Sequence, residues 1–260
     1  MTGIALSVLL GQNILKSRIM LSNPFISVIV PAYNEENKIS RALVEISSYF
    51  ANKKMSYEII VVDDGSQDTT PKIVKDFEKD DPNVRFIAND SNRGKGYSVK
   101  KGCIFSSGDL ILFTDADLST PISELETLLL WIQHGYDIAI GSRALRDSEI
   151  ARHQPGYREL MGKTFNLIVQ ALLLPGFKDT QCGFKLFKKS VMAYVVKRQT
   201  LDGFCFDVEL LSLAKRAGFR IKEVPIKWYN NPQSKVSPIQ DSLRMFRDIF
   251  RIRLNTIRER

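Results

Sequence analysis

The chain has 260 residues, enough for one large core or two small ones, and its 44% hydrophobic and 25% charged side chains exclude the disordered and fibrous classes. A formal charge of +8 points to an anionic partner, whether nucleic acid, phosphates or an anionic membrane surface. Cys103, Cys182 and Cys205 are far apart and show no CxxC or Cys/His spacing, which argues against a zinc site and for a reduced, cytoplasmic protein.

Residues 1–23 read as an N-terminal extension. The apolar stretch from Ile4 to Leu10, followed by Lys16 and Arg18, falls short of the roughly 20 apolar residues that a spanning helix needs. It reads as a peripheral anchor or a packing helix, with Met20 as an alternative start. Residues 25–30 form a β-branched apolar run ended by Pro31, the pattern of a buried strand. Ile39, Leu43, Ile46 and Phe50 have helical spacing. Residues 57–62 predict a second strand, stopped by Asp63-Asp64-Gly65-Ser66. A helix over 69–80 with Pro71 in its first turn, a strand over 84–88, a helix over 95–105 and a strand over 110–114 follow. This alternation predicts an α/β unit with a mainly parallel sheet flanked by helices. In such sheets ligands bind beyond the carboxyl ends of the strands, where Pro31 to Glu35, Asp63 to Ser66 and Asp115 to Asp117 would converge.

Further along, the pattern predicts a helix over 121–134 and a strand over 137–140 that runs into Gly141-Ser142-Arg143. Residues 144–157 are polar and turn-rich, a candidate mobile loop. A helix over 160–174 is apolar on every side from Phe165, which fits burial, a partner surface or membrane contact. A helix over 209–217 and a strand over 221–228 complete one domain over 24–232. The remainder, 233–260, reads as a basic amphipathic helix. Ile239, Leu243, Phe246, Phe250 and Leu254 form one stripe, and Arg244, Arg247, Arg251 and Arg258 another. Such a helix suits an anionic bilayer interface, or packs on the domain with solvated arginines.

Asp115 and Asp117 leave their strand with one residue between them. Two carboxylates so close repel unless a cation or a donor network holds them. Hard oxygen ligands suit Mg²⁺ or Mn²⁺, ions that commonly also hold a substrate diphosphate. The alternative for such a pair is a turn or a helix cap. The chain has neither a Walker A sequence nor GxGxxG, so a diphosphate here would be held without a phosphate-cradling loop.

Four motifs occur in order: Val28-Ile-Val-Pro-Ala-Tyr-Asn-Glu-Glu36, Val61-Val-Asp-Asp-Gly-Ser66, Asn92-Arg-Gly-Lys-Gly96 and Thr114-Asp-Ala-Asp117. Together they resemble family 2 glycosyltransferases of the GT-A fold. Asp179-Thr-Gln-Cys-Gly-Phe-Lys-Leu-Phe187, Phe206-Asp-Val-Glu-Leu-Leu211, Glu223-Val-Pro-Ile-Lys-Trp228 and Ser234-Lys-Val236 narrow the resemblance to the dolichyl-phosphate β-glucosyltransferase group and its prokaryotic relatives.

The resemblance implies an inverting enzyme that moves a hexose from a nucleotide-diphosphate sugar to a polyprenyl or dolichyl phosphate, peripherally at the cytoplasmic membrane face. It implies a nucleoside pocket at Pro31, Tyr33 and Glu35, with Asp63, ahead of Asp64, accepting from the base and Lys95 near the nucleotide. Asp115 would touch ribose or metal, and Asp117 would bind Mg²⁺ or Mn²⁺. Arg143, Lys185 and Lys235 are candidates for holding phosphates. Asp207 is the candidate base, ahead of Asp202 and Glu209, although a lipid phosphate is already largely ionised and needs no base. Glucose from UDP-glucose is the expected donor sugar; GDP-mannose, a saccharide-hydroxyl acceptor and a non-catalytic nucleic-acid-binding module are the rivals. Basic residues concentrated on one terminal helix support nucleic acid poorly. The residues leave a homo-oligomer open.

Overall fold

The computed structural model describes residues 25–152, 156–231 and 240–258. The predicted extension over 1–23 and Lys235 lie outside them. The first half alternates as β1 (Ile26–Ala32), α1 (Ile39–Lys53), β2 (Tyr57–Asp63), α2 (Thr70–Asp80), β3 (Val84–Ala88), α3 (Lys95–Phe105) and β4 (Leu110–Thr114). A 3-10 turn (Ile122–Glu124) then leads into α4 (Leu125–Gln133), β5 (Ile138–Ser142), β6 (Glu149–Arg152) and α5 (Gly156–Leu172). The chain continues through β7 (Phe184–Lys188), α6 (Lys189–Arg198), α7 (Phe206–Arg216), β8 (Ile221–Pro225), β9 (Lys227–Tyr229) and α8 (Gln240–Arg258).

Seven strands form one sheet in the order β3-β2-β1-β4-β7-β5-β8. Neighbours are parallel except at β7, which runs antiparallel to both β4 and β5. Helices cover both faces, so the central strands are apolar on both sides. Val28 and Val30 point into a layer shared with Leu43, Ile46 and Phe50 of α1, Val74 of α2 and Leu128 of α4. Ile29, Val62 and Phe113 point into the opposite layer, filled by Val99 of α3, Val195 of α6, Leu210 of α7, Val169 of α5 and Ile249 of α8.

The structure departs from the pattern in four places. β7 and α6 went unread because Phe184-Lys-Leu-Phe-Lys188 places lysines where a buried strand should be apolar; Lys185 is fully buried all the same. The supposed loop over 144–157 contains β6, which pairs with β9. The single strand over 221–228 is two strands, β8 in the large sheet and β9 with β6, divided around Ile226. On α8, Met245, Phe246, Ile249 and Ile252 pack on the domain, whereas Leu243, Phe250 and Leu254 are exposed. The expected stripe is therefore split between two faces.

Candidate active site

The carboxyl ends of β1, β2, β4 and β5 and the start of β7 meet at one sheet edge, beside a cleft of about 1290 Å³. Pro31, Tyr33 and Glu35 line the cleft after β1, Asp64 after β2, Asp115 and Asp117 after β4, and Arg143 after β5. Lys95, at the start of α3, and Asp207, in the first turn of α7, complete the wall.

Asp64 shapes its own surroundings. Its Oδ1 accepts from Asn89 Nδ2 at 2.8 Å and from the Arg93 amide at 2.9 Å, and its Oδ2 accepts from the Gly94 amide at 2.8 Å. This holds the Asn92-Arg-Gly loop, in which Gly94 has a φ of 104° that side chains rarely adopt. Asp63 does not line the cleft. It is buried, its Oδ2 accepts from the Ser66 amide at 3.1 Å, and its Oδ1 has no partner among the described residues. Both aspartates are buried, but only Asp64 lines the cleft, so the expected base contact moves from Asp63 to Asp64.

Asp115 and Asp117 are held differently. Asp115 Oδ1 lies 2.6 Å from Lys95 Nζ. Asp117 Oδ1 accepts from the Ser119 amide at 2.9 Å, and its Oδ2 accepts from Asn231 Nδ2 at 3.1 Å. Leu118, between Asp117 and Ser119, has a φ of 47°, a conformation costly for a bulky residue and tolerated where a site over-determines the backbone. Burial alone would lower the Lys95 ammonium; the carboxylates of Asp115, Asp207 and Asp117 outweigh it and hold the pKa above the ordinary lysine value. Lys95 thus marks where this edge concentrates negative charge. Among the described residues no three His, Cys, Asp or Glu side chains converge as a metal cage. The aspartate pair fits a divalent cation that takes its remaining oxygens from a diphosphate and water, as Mg²⁺ commonly does.

Gly183 sets the position of Asp115. β4 and β7 pair antiparallel with Thr114 opposite Phe184, so the next pair out brings Asp115 against Gly183. A Cβ built on Gly183 would overlap the Asp115 carboxylate. The sequence carries no sign of this contact, since glycine has no side chain to read.

Arg143 lines the cleft with its guanidinium committed to Asp179, by Nε to Oδ2 at 2.7 Å and by its second terminal nitrogen to Oδ1 at 2.9 Å. It also stacks over Trp228 at 5.4 Å. Burial pushes the Asp179 carboxyl up, and Arg143 outweighs that and brings it down to about 2. Glu223 Oε1 accepts from the Asp179 amide at 2.7 Å, so the arginine is braced from β8.

Lys185 is not a phosphate-facing surface cation. Its side chain is 0% exposed, its Nζ donates to the Cys182 carbonyl, and it lies 2.9 Å from Asp207 Oδ2. The antiparallel strand turns it under the cleft, where α7 presents Asp207. Asp207 Oδ1 has no hydrogen-bond partner among the described residues, and the residue lines the cleft. Burial pushes the Asp207 carboxyl above its ordinary value against the pull of Lys185 and Lys95. Glu209 is structural: its two oxygens accept from the Thr200 and Leu201 amides at 2.9–3.0 Å. Asp202 lines the cleft, and its carbonyl accepts from the Tyr97 amide at 3.1 Å.

The remaining wall was not expected. Arg244, Arg247 and Arg251 of α8 and Leu160, Met161 and Thr164 of α5 extend the cleft away from the strand ends. Asn231 was also missed, although Asn230-Asn231-Pro232 is a turn signal close to the motifs.

The ordered motifs meet around one cleft, and a family model for glycosyl transferase family 2 matches residues 27–195. The chain belongs to glycosyl transferase family 2. A dolichyl-phosphate beta-glucosyltransferase of Dictyostelium discoideum is 36% identical over 253 residues, a match spanning 93% of this chain and 77% of that protein. The Homo sapiens protein of the same name is 34% identical, over 88% of this chain and 75% of its own length. Among solved structures, this glycosyltransferase resembles glucosyl-3-phosphoglycerate synthase from Mycobacterium tuberculosis in complex with Mn²⁺, UDP and glucosyl-3-phosphoglycerate. The TM-score is 0.67 at 19% identity, covering 89% of this chain and 81% of that one. Mannosyl-3-phosphoglycerate synthase from Rubrobacter xylanophilus gives a TM-score of 0.69 at 18% identity, covering 91% and 74%. These likenesses establish the GT-A fold: a mixed, mainly parallel sheet flanked by helices.

Proposed function

We propose that this glycosyltransferase moves glucose from UDP-glucose to a dolichyl or other polyprenyl phosphate, at the cytoplasmic face of a membrane. The observation that carries the reading is the cleft itself. One end gathers the nucleotide motifs, and the other is lined by cations and apolar side chains, in a chain that matches dolichyl-phosphate beta-glucosyltransferases over nearly its whole length.

The donor's nucleoside lies against Pro31, Tyr33, Glu35 and Asp64, and its diphosphate against Asp115, Asp117 and Lys95. Mg²⁺ or Mn²⁺ held by Asp115 and Asp117 would neutralise charge on the departing diphosphate. Asp207 lines the cleft, and its buried Oδ1, with no hydrogen-bond partner among the described residues, is an acceptor that a hexose hydroxyl would satisfy. An acceptor phosphate oxygen attacks the anomeric carbon as the bond to the diphosphate oxygen breaks. The electron pair leaves with UDP, and the configuration inverts. The attacking phosphate has a second pKa of about 6, so it is largely a dianion at neutral pH and gives up no proton. A hydroxyl acceptor is the second reading, because the raised pKa and unpartnered Oδ1 of Asp207 also suit a general base.

The flank of the cleft supports membrane docking. Leu160 and Leu167 of α5 and Leu243, Phe250 and Leu254 of α8 are exposed, on two helices joined by the edge contact of Phe165 and Phe246 at 5.9 Å. Among the described residues no helix is long and apolar enough to cross a membrane. Exposed leucines beside arginines suit an anionic bilayer interface.

Labelled UDP-glucose and GDP-mannose, each incubated with polyprenyl phosphate and either Mn²⁺ or a chelator, test the donor and the metal. The expected result is metal-dependent glucosyl transfer from UDP-glucose alone. Transfer only from GDP-mannose would replace the donor assignment, and full activity in chelator would remove the metal from it.

A further inference from the structure

We infer that Arg247 and Arg251 of α8, flanked by Arg244, form the site that receives the acceptor's phosphate, and that α5 covers the first part of its hydrocarbon. This rests on the polyprenyl-phosphate reading above and names the residues that would recognise that substrate.

At the donor end of the cleft three cations are engaged with carboxylates, while Arg93 lies over the Tyr97 ring. Lys95 sits on Asp115, Arg143 on Asp179, and Lys38 lies 3.2 Å from Glu35. The buried Lys185 holds Asp207 from beneath. A second anion entering the cleft finds further cations on α8. Arg244, Arg247 and Arg251 follow a spacing of three and four residues, so they share one helix face, and all three line the cleft. The face that holds α8 to the domain is a different one, built from Met245, Ile249 and Ile252. Arg247 and Arg251 stand outside that apolar contact.

Asp248 lies among them and also lines the cleft. Burial raises its carboxyl, while Arg247 and Arg251 pull it down. The two guanidinium groups of Arg247 and Arg251 against this one carboxylate leave a net positive wall. Guanidinium forks match phosphate oxygens in pairs and position the group without taking or giving a proton, as an already ionised nucleophile requires. Across the cleft, Leu160 and Met161 of α5 offer apolar surface next to this charge. A charged wall facing an apolar lip fits an amphiphile with an anionic head and a hydrocarbon tail. A free sugar or a peptide hydroxyl has no use for it.

The test separates the acceptor's phosphate from the phosphates of a bilayer. The Arg247→Gln/Arg251→Gln variant and the wild type are assayed with UDP-glucose and farnesyl phosphate in solution, without vesicles, and UDP affinity is measured alongside. The expected result is a rise of at least about tenfold in the acceptor KM, the scale of one lost charge-assisted hydrogen bond. The UDP affinity should stay within about twofold, and the Arg247→Lys/Arg251→Lys variant should recover part of the loss because charge is kept and the fork is not. An unchanged acceptor KM in solution would overturn the inference. So would a loss seen only when acceptor is presented in anionic vesicles, since the arginines would then serve docking alone. Loss of UDP binding together with the acceptor effect would also overturn it, by tying these arginines to the fold or the donor. If the wild type glucosylates no prenyl phosphate, in solution or in vesicles, the polyprenyl-phosphate reading itself falls, whatever the variants do.

Discussion

Replacing Lys185 by methionine is expected to cost about 3–5 kcal/mol of stability at neutral pH, the range for removing one partner of a buried ion pair. Lys185 is 0% exposed and Asp207 is 4% exposed at the side chain, so water cannot take the lysine's place. The change leaves Asp207 ionised in a low-dielectric site, where desolvation already raises its pKa. The sign of the pH dependence follows. An aspartate whose folded pKa is raised favours the folded state when protonated, so its penalty is absent below the unfolded value, grows as pH rises above it, and is complete above the folded one. Lys185 pulls the carboxyl down, so the variant's Asp207 titrates higher still. Urea denaturation of the variant should therefore show stability recovering as pH falls below the raised pKa toward the unfolded value, while the wild type recovers less. The acid limb of its kcat/KM profile should move to higher pH. A variant as stable as the wild type, with an unmoved profile, would show that the pair is not coupled as described.

Gly183→Ala is expected to remove activity while sparing the fold. The added Cβ overlaps the Asp115 carboxylate, the end of a side chain that can rotate away into the cleft. The stability cost should thus stay below about 1 kcal/mol, as for substitutions that create no cavity and bury no unpaired charge. The carboxylate, however, would leave its place beside Lys95, and a displacement of about 1 Å in a site of this kind can cost about 100-fold in rate. Steady-state kinetics beside a denaturant midpoint would separate the two effects. Wild-type kcat/KM in Gly183→Ala would mean that the position of Asp115 does not matter to turnover.

The first half of the fold was legible because its physics is local. β1, β2 and β4 are short apolar runs covered on both faces, and α1 shows its buried side at Ile39, Leu43, Ile46 and Phe50. Turn residues after each strand then point to the edge where a ligand would sit. The second half depends on contacts between distant segments. Lys185 reads as a candidate for holding phosphate because nothing near it in the sequence discloses Asp207, brought over it by α7. β7 reverses direction between β4 and β5, and only that reversal sets Gly183 beside Asp115. On α8 the periodicity separates an arginine face from apolar ones but does not say which face meets the cleft. The helix carries apolar residues on two faces, and the one that docks is not the stripe that the spacing favoured.

The choice between a phosphate and a hydroxyl acceptor decides what the enzyme makes. The most direct measurement gives the wild-type enzyme labelled UDP-glucose, Mn²⁺, and either a polyprenyl phosphate or the polyprenol with the same chain, and follows label into the lipid phase. The expected result is glucosylated lipid from the phosphate and none from the alcohol. Transfer to the polyprenol, or UDP release with no lipid-linked product from either, would contradict it.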